Sequence, residues 1–168
     1  MKYILLLLCV LNFGCKNANE DKLAETTTLY FIRHAEKNRE NPDEENPALT
    51  KKGLERAEKW SEILKNVPFD AVYSTNYTRT KQTATPTASK NGLSITTYPP
   101  ENLDIEKIYT QGLHHVLVVG HSNTVPKLVN KLIGKETYTD IEDTNNGNLY
   151  IVTLEGKMVV SVNLLTIN

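Results

Sequence analysis

LYFIRHAEK, Leu29 to Lys37, sets the frame for the rest of the chain. Thr28 and the four apolar β-formers Leu29, Tyr30, Phe31 and Ile32 make a continuous run, as in strands buried on both faces of a parallel sheet. The run stops abruptly at Arg33 and His34. A second apolar run, His115–Val119, ends on Gly120-His121-Ser122-Asn123. A shorter one, Ala71–Tyr73, ends on Ser74-Thr75-Asn76-Tyr77-Thr78-Arg79.

Helical patterns separate these runs. Thr50 is placed to cap a helix with Leu54, Ala57, Trp60, Ile63 and Leu64 at helical spacing. Thr78–Asn91 reads as a helix closed by Asn91-Gly92, with Pro86 expected to kink or split it. Leu93–Tyr98 alternates as a third strand, and Asp104–Gly112 reads as a short helix. Val125–Ile133 is a further helix, stopped by Gly134. Asn148–Leu154 and Lys157–Leu165 flank Glu155-Gly156, a hairpin signal. Strands alternating with helices predict a three-layer αβα sandwich. Its central sheet is mostly parallel, with an antiparallel C-terminal hairpin strand at one edge.

The chain has 168 residues, 39% hydrophobic and 23% charged, with a formal net charge of -1. This fits one ordinary domain with enough length for a core. It leaves no basic footprint for nucleic acid. Ahead of the domain, Lys2 and the apolar run Tyr3–Leu11 lead to Gly14-Cys15. The run falls short of the roughly 20 residues that a membrane-spanning helix needs, and it suits a secretory h-region. Residues 1–14 are therefore expected to be a signal peptide. Gly14-Cys15 resembles a bacterial lipobox, although Asn12 stands where that box carries an aliphatic residue; an ordinary cleaved signal is the alternative. On the lipobox reading Cys15 is lipidated and residues 15–27 form a polar tether to a domain at 28–168. The protein is then exported and anchored in a membrane, facing the periplasm or cell surface. Cys9 leaves with the signal, so no disulfide framework is expected.

Ligands of open parallel sheets bind beyond the carboxyl ends of the strands. All three polar constellations sit at such ends, and two of them open helices, whose N-termini favour anions. A neutral imidazole aimed at phosphorus, with arginine forks to offset charge on the equatorial oxygens, suits phosphoryl transfer through a covalent histidine. Taken singly, Arg33-His34 could be a solvated strand end, Arg79 a surface residue and His121 a polar cap. Their occurrence together at strand ends of one sheet favours a site. The adjacent pair His114-His115 points to opposite faces of its strand, so no metal is expected there.

Arg33-His34-Ala35-Glu36-Lys37, then Pro47-Ala48-Leu49-Thr50 with Gly53, Arg56 and Ala57, form a first motif. Tyr73-Ser74-Thr75 with Arg79-Thr80 and Gln82-Thr83-Ala84 form a second, and Val119-Gly120-His121-Ser122-Asn123-Thr124 a third. In this order, from Leu29 to Pro126, the chain resembles the histidine phosphatase (phosphoglycerate mutase-like) superfamily, in its small single-domain phosphatase type. The resemblance implies that His34 is the nucleophile, that Arg33 and Arg79 clamp the phosphoryl group, and that His121 and the backbone N–H of Ser122 contact its oxygens. Asn123 and Asn38 are further candidate contacts, although neither Asn38 nor Asn41 lies at the family's usual offset. For the general acid two carboxylates stay open, Glu101 and Glu36.

The expected activity is cofactor-independent hydrolysis of phosphate monoesters, with a phosphorylated small molecule as substrate. The alternatives are a phospho-ligand-binding module of the same fold and a phosphohistidine-protein phosphatase. A mutase must shield its phosphoenzyme from water. Here insertions are short and the loop after Lys37 is acidic (Glu40, Asp43, Glu44, Glu45). The lipid reading has a direct check: Cys15→Ala should move the protein from the membrane to the soluble fraction, and a variant that stays membrane-bound refutes lipidation.

Overall fold

The computed structural model describes residues 26–167, so the signal peptide, most of the tether and Cys15 lie outside the described residues. Six strands and four helices alternate along the chain. They are β1 (Thr26–Arg33), α1 (Lys51–Ile63), β2 (Ala71–Thr75), α2 (Thr78–Lys90), β3 (Ile95–Tyr98), α3 (Ile105–Thr110), β4 (His115–Gly120), α4 (Thr124–Ile133), β5 (Asn148–Glu155) and β6 (Met158–Thr166). The strands form one sheet in the order β3-β2-β4-β1-β5-β6. β1, β2, β3 and β4 run parallel to one another, while β5 is antiparallel to β1 and β6 antiparallel to β5. The expected sandwich with its edge hairpin is what the chain adopts.

Alternation along the buried strands divides the core into two layers. Leu29 and Phe31 of β1 and Val116 and Val118 of β4 face one side, where Ile108 of α3 and Val125, Leu128 and Val129 of α4 cover them. Ile32, Leu117 and Val119 face the other side, under Trp60 and Leu64 of α1 and Ala84 and Ala88 of α2. Strands of this kind have no solvent face, which is why they read as unbroken apolar runs.

Several boundaries and one buried face differ from the sequence expectation. β1 begins at Thr26, because Thr26 and Thr27 pair with Glu155 and Leu154 of β5 and so leave the tether. β3 begins at Ile95, two residues late. α2 continues unbroken through Pro86. An internal proline costs roughly 3 kcal/mol. Here the neighbouring Thr83, Ala84, Thr87 and Ala88 are all buried, and their packing outweighs that loss.

α1 buries Ala57, Trp60 and Leu64 as expected, but the face it turns inward is shifted. Thr50 caps it as expected, accepting from Gly53 N through Oγ1. The buried stripe, however, is Gly53, Ala57, Trp60, Ser61 and Leu64, while Leu54 and Ile63 stay exposed. Gly53 sets this rotation. A Cβ there would collide with the carbonyl oxygen of Glu36, which also accepts from Thr50 N at 2.9 Å. The first turn of α1 is thereby pressed against the segment that leaves β1.

Gly53→Ala should lower the unfolding free energy by about 1–3 kcal/mol, the usual range for overpacking a tight contact. Urea denaturation reads this as a lower midpoint with an unchanged slope; an unchanged midpoint would mean that the contact does not hold α1.

Candidate active site

The site is a product of strand order. β1 and β4 are neighbours with Arg33 opposite Gly120, and β2 flanks β4 with Ser74 opposite Val119. The three carboxyl ends lie side by side, so Arg33-His34, Thr75 to Arg79 and His121 to Thr124 converge. The cavity they enclose measures about 640 Å³ and is lined by Arg33, His34, Lys37, Tyr77, Arg79, Glu101, His121, Ser122, Asn123 and Asp143 among others. Gly120 makes this approach possible, because a Cβ there would press on Tyr98 Oη and Val125 Cγ2.

Arg33 and His34 are only 2% and 4% exposed, which excludes the solvated strand end. His34 Nδ1 lies 2.8 Å from the carbonyl oxygen of Ala35. A carbonyl only accepts, so Nδ1 carries the proton and Nε2 keeps its lone pair. One main-chain and one side-chain hydrogen bond pin the backbone of His34: His34 N donates to Gly120 O at 2.9 Å, and Asn146 Nδ2 donates to His34 O at 2.9 Å. Ala35 N donates to Thr83 Oγ1, which in turn donates to Arg79 O, so the two arginine-bearing segments share one bridging hydroxyl.

His121 is oriented by the same logic. Its Nδ1 faces Arg79 Nη2 at 3.5 Å and its Nε2 lies 2.9 Å from Thr75 Oγ1. Arginine can only donate, so Nδ1 is the accepting nitrogen and Nε2–H donates to Thr75. Thr75 Oγ1 passes a bond to Thr80 Oγ1, which ends on the carbonyl of Thr75. The rings of His34 and His121 stand edge to face, with centroids 5.5 Å apart.

Burial pushes the His34 imidazole down to about 3, reinforced by the charges of Arg33 and Arg79 and opposed by the bond to Ala35 O. Burial, then Arg79, Arg33 and Lys37, push His121 down to about 4. Both rings are therefore neutral at neutral pH, as a nucleophilic imidazole must be.

The two arginines are built differently. Arg79 lays its guanidinium over the Tyr77 ring, 4.5 Å from the centroid, and its Nε and Nη1 are buried without a partner. Arg33 is gripped at its far edge: Nη1 donates to the carbonyls of Glu142, Asp143 and Asn145 at 2.9 to 3.0 Å, and Nη2 donates to Asp143 Oδ1 at 2.8 Å. Its Nε remains buried and unpartnered. Unpaired buried donors are costly in a folded protein and call for an acceptor. Three such N–H groups, all on cations, define an anion site beside His34.

The remaining sequence candidates divide. Ser122 and Asn123 line the cavity at the start of α4, and Glu101 stands exposed on its rim. Glu36 does not fit the acid role. Both of its oxygens lie 2.9 Å from Arg56 Nε, with Lys52 at 3.6 Å. These cations hold its carboxyl below the usual range despite the opposing effect of burial, so it stays ionised and ties α1 to the end of β1. Asn38 does not fit either: its Oδ1 accepts from Glu40 N, and it lines a separate groove with Leu49 and Thr50. Sequence reasoning missed Tyr77, Asp143 and Asn146. The last two come from the irregular segment before β5, which carries no pattern linking it to the strand ends. Among the described residues no cluster of His, Cys, Asp or Glu is arranged to hold a metal ion.

The family model of the histidine phosphatase superfamily (branch 1) matches residues 29–100, which covers the first two strand ends and stops short of His121. A comparison with curated proteins finds no match. Among solved structures, the chain is similar to the alpha-ribazole phosphatase from Shigella flexneri, with 18% identity, a TM-score of 0.65 and coverage of 84% of this chain and 96% of that one. It is similar to the protein histidine phosphatase SixA complexed with tungstate, at 19%, 0.66, 83% and 97%. A third is the mycobacterial glucosyl-3-phosphoglycerate phosphatase, at 12%, 0.68, 85% and 99%. Identities this low speak for a shared fold.

The histidine shifts fix a sign for stability. The unfolded rings take up protons near their ordinary value of about 6.5, whereas the folded rings resist until about 4 and about 3. Their contribution is complete above about pH 6.5 and is lost as pH falls through those folded values. The thermal midpoint should therefore drop between pH 7 and pH 4. Ring NMR signals of His34 and His121 should stay in the neutral form at pH 5; titration of either near 6.5 would contradict the burial account.

Proposed function

We propose that this chain belongs to the histidine phosphatase superfamily and hydrolyses phosphate monoesters through a phosphohistidine on His34. The observation that carries the reading is the tautomer: Nδ1–H is committed to Ala35 O, leaving the Nε2 lone pair free on a ring that lines the same cavity as Arg33 and Arg79 with their three unpartnered N–H groups. A phosphate ester seated on Arg33 Nε and Arg79 would present phosphorus to Nε2. As the Nε2–P bond forms and the P–O bond to the alcohol breaks, charge on the equatorial oxygens is offset by the guanidinium groups already in place. Such preorganised donors typically contribute two to three orders of magnitude in rate each.

The leaving oxygen needs a proton. Of the carboxylates on the cavity wall, Asp143 is bound to two arginines, whereas Glu101 stands on the open rim. Glu101 is the donor in this reading, and its carboxylate then accepts a proton from the water that attacks phosphorus, releasing orthophosphate and restoring Nε2. His121, neutral and anchored through Thr75, borders the phosphate with its Nδ1. The reading includes an exported, lipid-anchored location through Cys15.

An assay with p-nitrophenyl phosphate between pH 5 and 8 tests this. Wild type should turn over, and His34→Ala should lose activity by at least about three orders of magnitude, the scale of losing a covalent nucleophile. Glu101→Gln should lower kcat by roughly 10²-fold, the usual share of a general acid. Activity that survives His34→Ala sinks the covalent route.

A further inference from the structure

The carboxylate of Asp143 takes no part in the proposed reaction, yet it stands in the phosphate cavity. One oxygen accepts from both Arg33 Nη2 at 2.8 Å and Arg39 Nη2 at 2.7 Å. The two bonds sit in different surroundings. The Arg33 side chain is 3% exposed, Arg39 54% and Asp143 68%. Asp143 is therefore an exposed rim anion reaching in to a buried cation.

Arg33 does not depend on this carboxylate for its position. Its Nη1 is held by three main-chain carbonyls, at Glu142, Asp143 and Asn145, none of which uses the side chain of residue 143. What the carboxylate adds is charge. It is hydrogen-bonded to two guanidinium groups and held below its usual range by them, first by Arg33 and then by Arg39, so it is negative at any working pH. A phosphate dianion entering beside His34 meets three cations on the cavity walls, Arg33, Lys37 and Arg79, and an anion, Asp143, already bound to Arg33 and to Arg39 of the adjoining groove.

We propose that Asp143 is a specificity-determining residue, a built-in competitor anion that offsets charge on the same Arg33 guanidinium whose Nε receives the substrate phosphate, and thereby weakens the hold of the cavity on phosphate. This rests on the phosphate reading of the cavity. Orthophosphate, the product, is then released readily, and ligands carrying several phosphate groups meet a repulsion that a single ester partly escapes. A purely structural role for Asp143 predicts the opposite sign, because loosening Arg33 would weaken phosphate binding.

The sign is measurable. Unit charges about 5 Å apart in a water-like dielectric change an equilibrium constant about fourfold, and more in the partly buried mouth. Calorimetric titration of wild type, Asp143→Asn and Asp143→Ser with inorganic phosphate and with tungstate should show about three- to tenfold tighter binding in both variants. The gain should shrink as salt rises, and KM for p-nitrophenyl phosphate should fall alongside. The second neutral variant covers failure of the first to fold, which circular dichroism reports. Unchanged or weaker oxyanion binding overturns the proposal. Tighter binding with no turnover by wild type would leave it standing while removing the phosphatase reading. Turnover without tighter binding would do the reverse.

Discussion

Parallel pairing of β1 with β4 is the constraint on which the rest of the molecule depends. That register sets Arg33 against Gly120 and so brings two histidines from distant parts of the chain within edge-to-face contact. The pairing is held by side chains buried on both faces, with Leu29, Phe31, Val116 and Val118 on one side and Ile32, Leu117 and Val119 on the other. A slip of one residue would exchange the two faces of β1 and carry His34 out of the cavity. The chemistry is thus secured by the hydrophobic core.

How much of this was legible in the sequence follows from the range of each interaction. The strands and helices announce themselves through local periodicity, and their carboxyl ends carry Arg33, His34, Arg79 and His121 in plain view. Glu36 could not be assigned from sequence because its partners depend on how α1 rotates. That rotation is decided by Gly53 meeting the Glu36 carbonyl. The expected stripe places Ala57, Trp60 and Leu64 correctly but also includes Leu54 and Ile63, which stay exposed, since the stripe chosen is the one that lets backbone approach backbone. Asp143 and Asn146 were invisible for a related reason. They act from a segment without periodicity, and Arg33 is recognised there by carbonyl oxygens, which every residue type possesses.

Electrostatically the cavity is unbalanced on purpose. Burial keeps both imidazoles neutral, so the positive field in the cavity comes from Arg33, Arg79 and Lys37 and leaves His34 and His121 unprotonated. Lys37 itself feels this crowding, its ammonium held below the usual range first by burial and then by Arg79 and Arg39. Threonine hydroxyls do the fine positioning: Thr75 and Thr80 fix the tautomer of His121, and Thr83 joins the backbones of Ala35 and Arg79. Short hydroxyl bridges of this kind lose little rotamer freedom on ordering, which suits them to hold two segments at a set distance.

β1 also gives the domain a direction. It enters the sheet at Thr26 and delivers His34 only after leaving it at Arg33, so the two ends of the strand stand about 23 Å apart at 3.3 Å per residue. Whatever is joined ahead of residue 26, whether a bead, a surface or another fold, attaches at the pole opposite the cavity. A handle placed there would leave the mouth facing outward and open to solute, so immobilisation from that side is the geometry in which the pocket stays accessible.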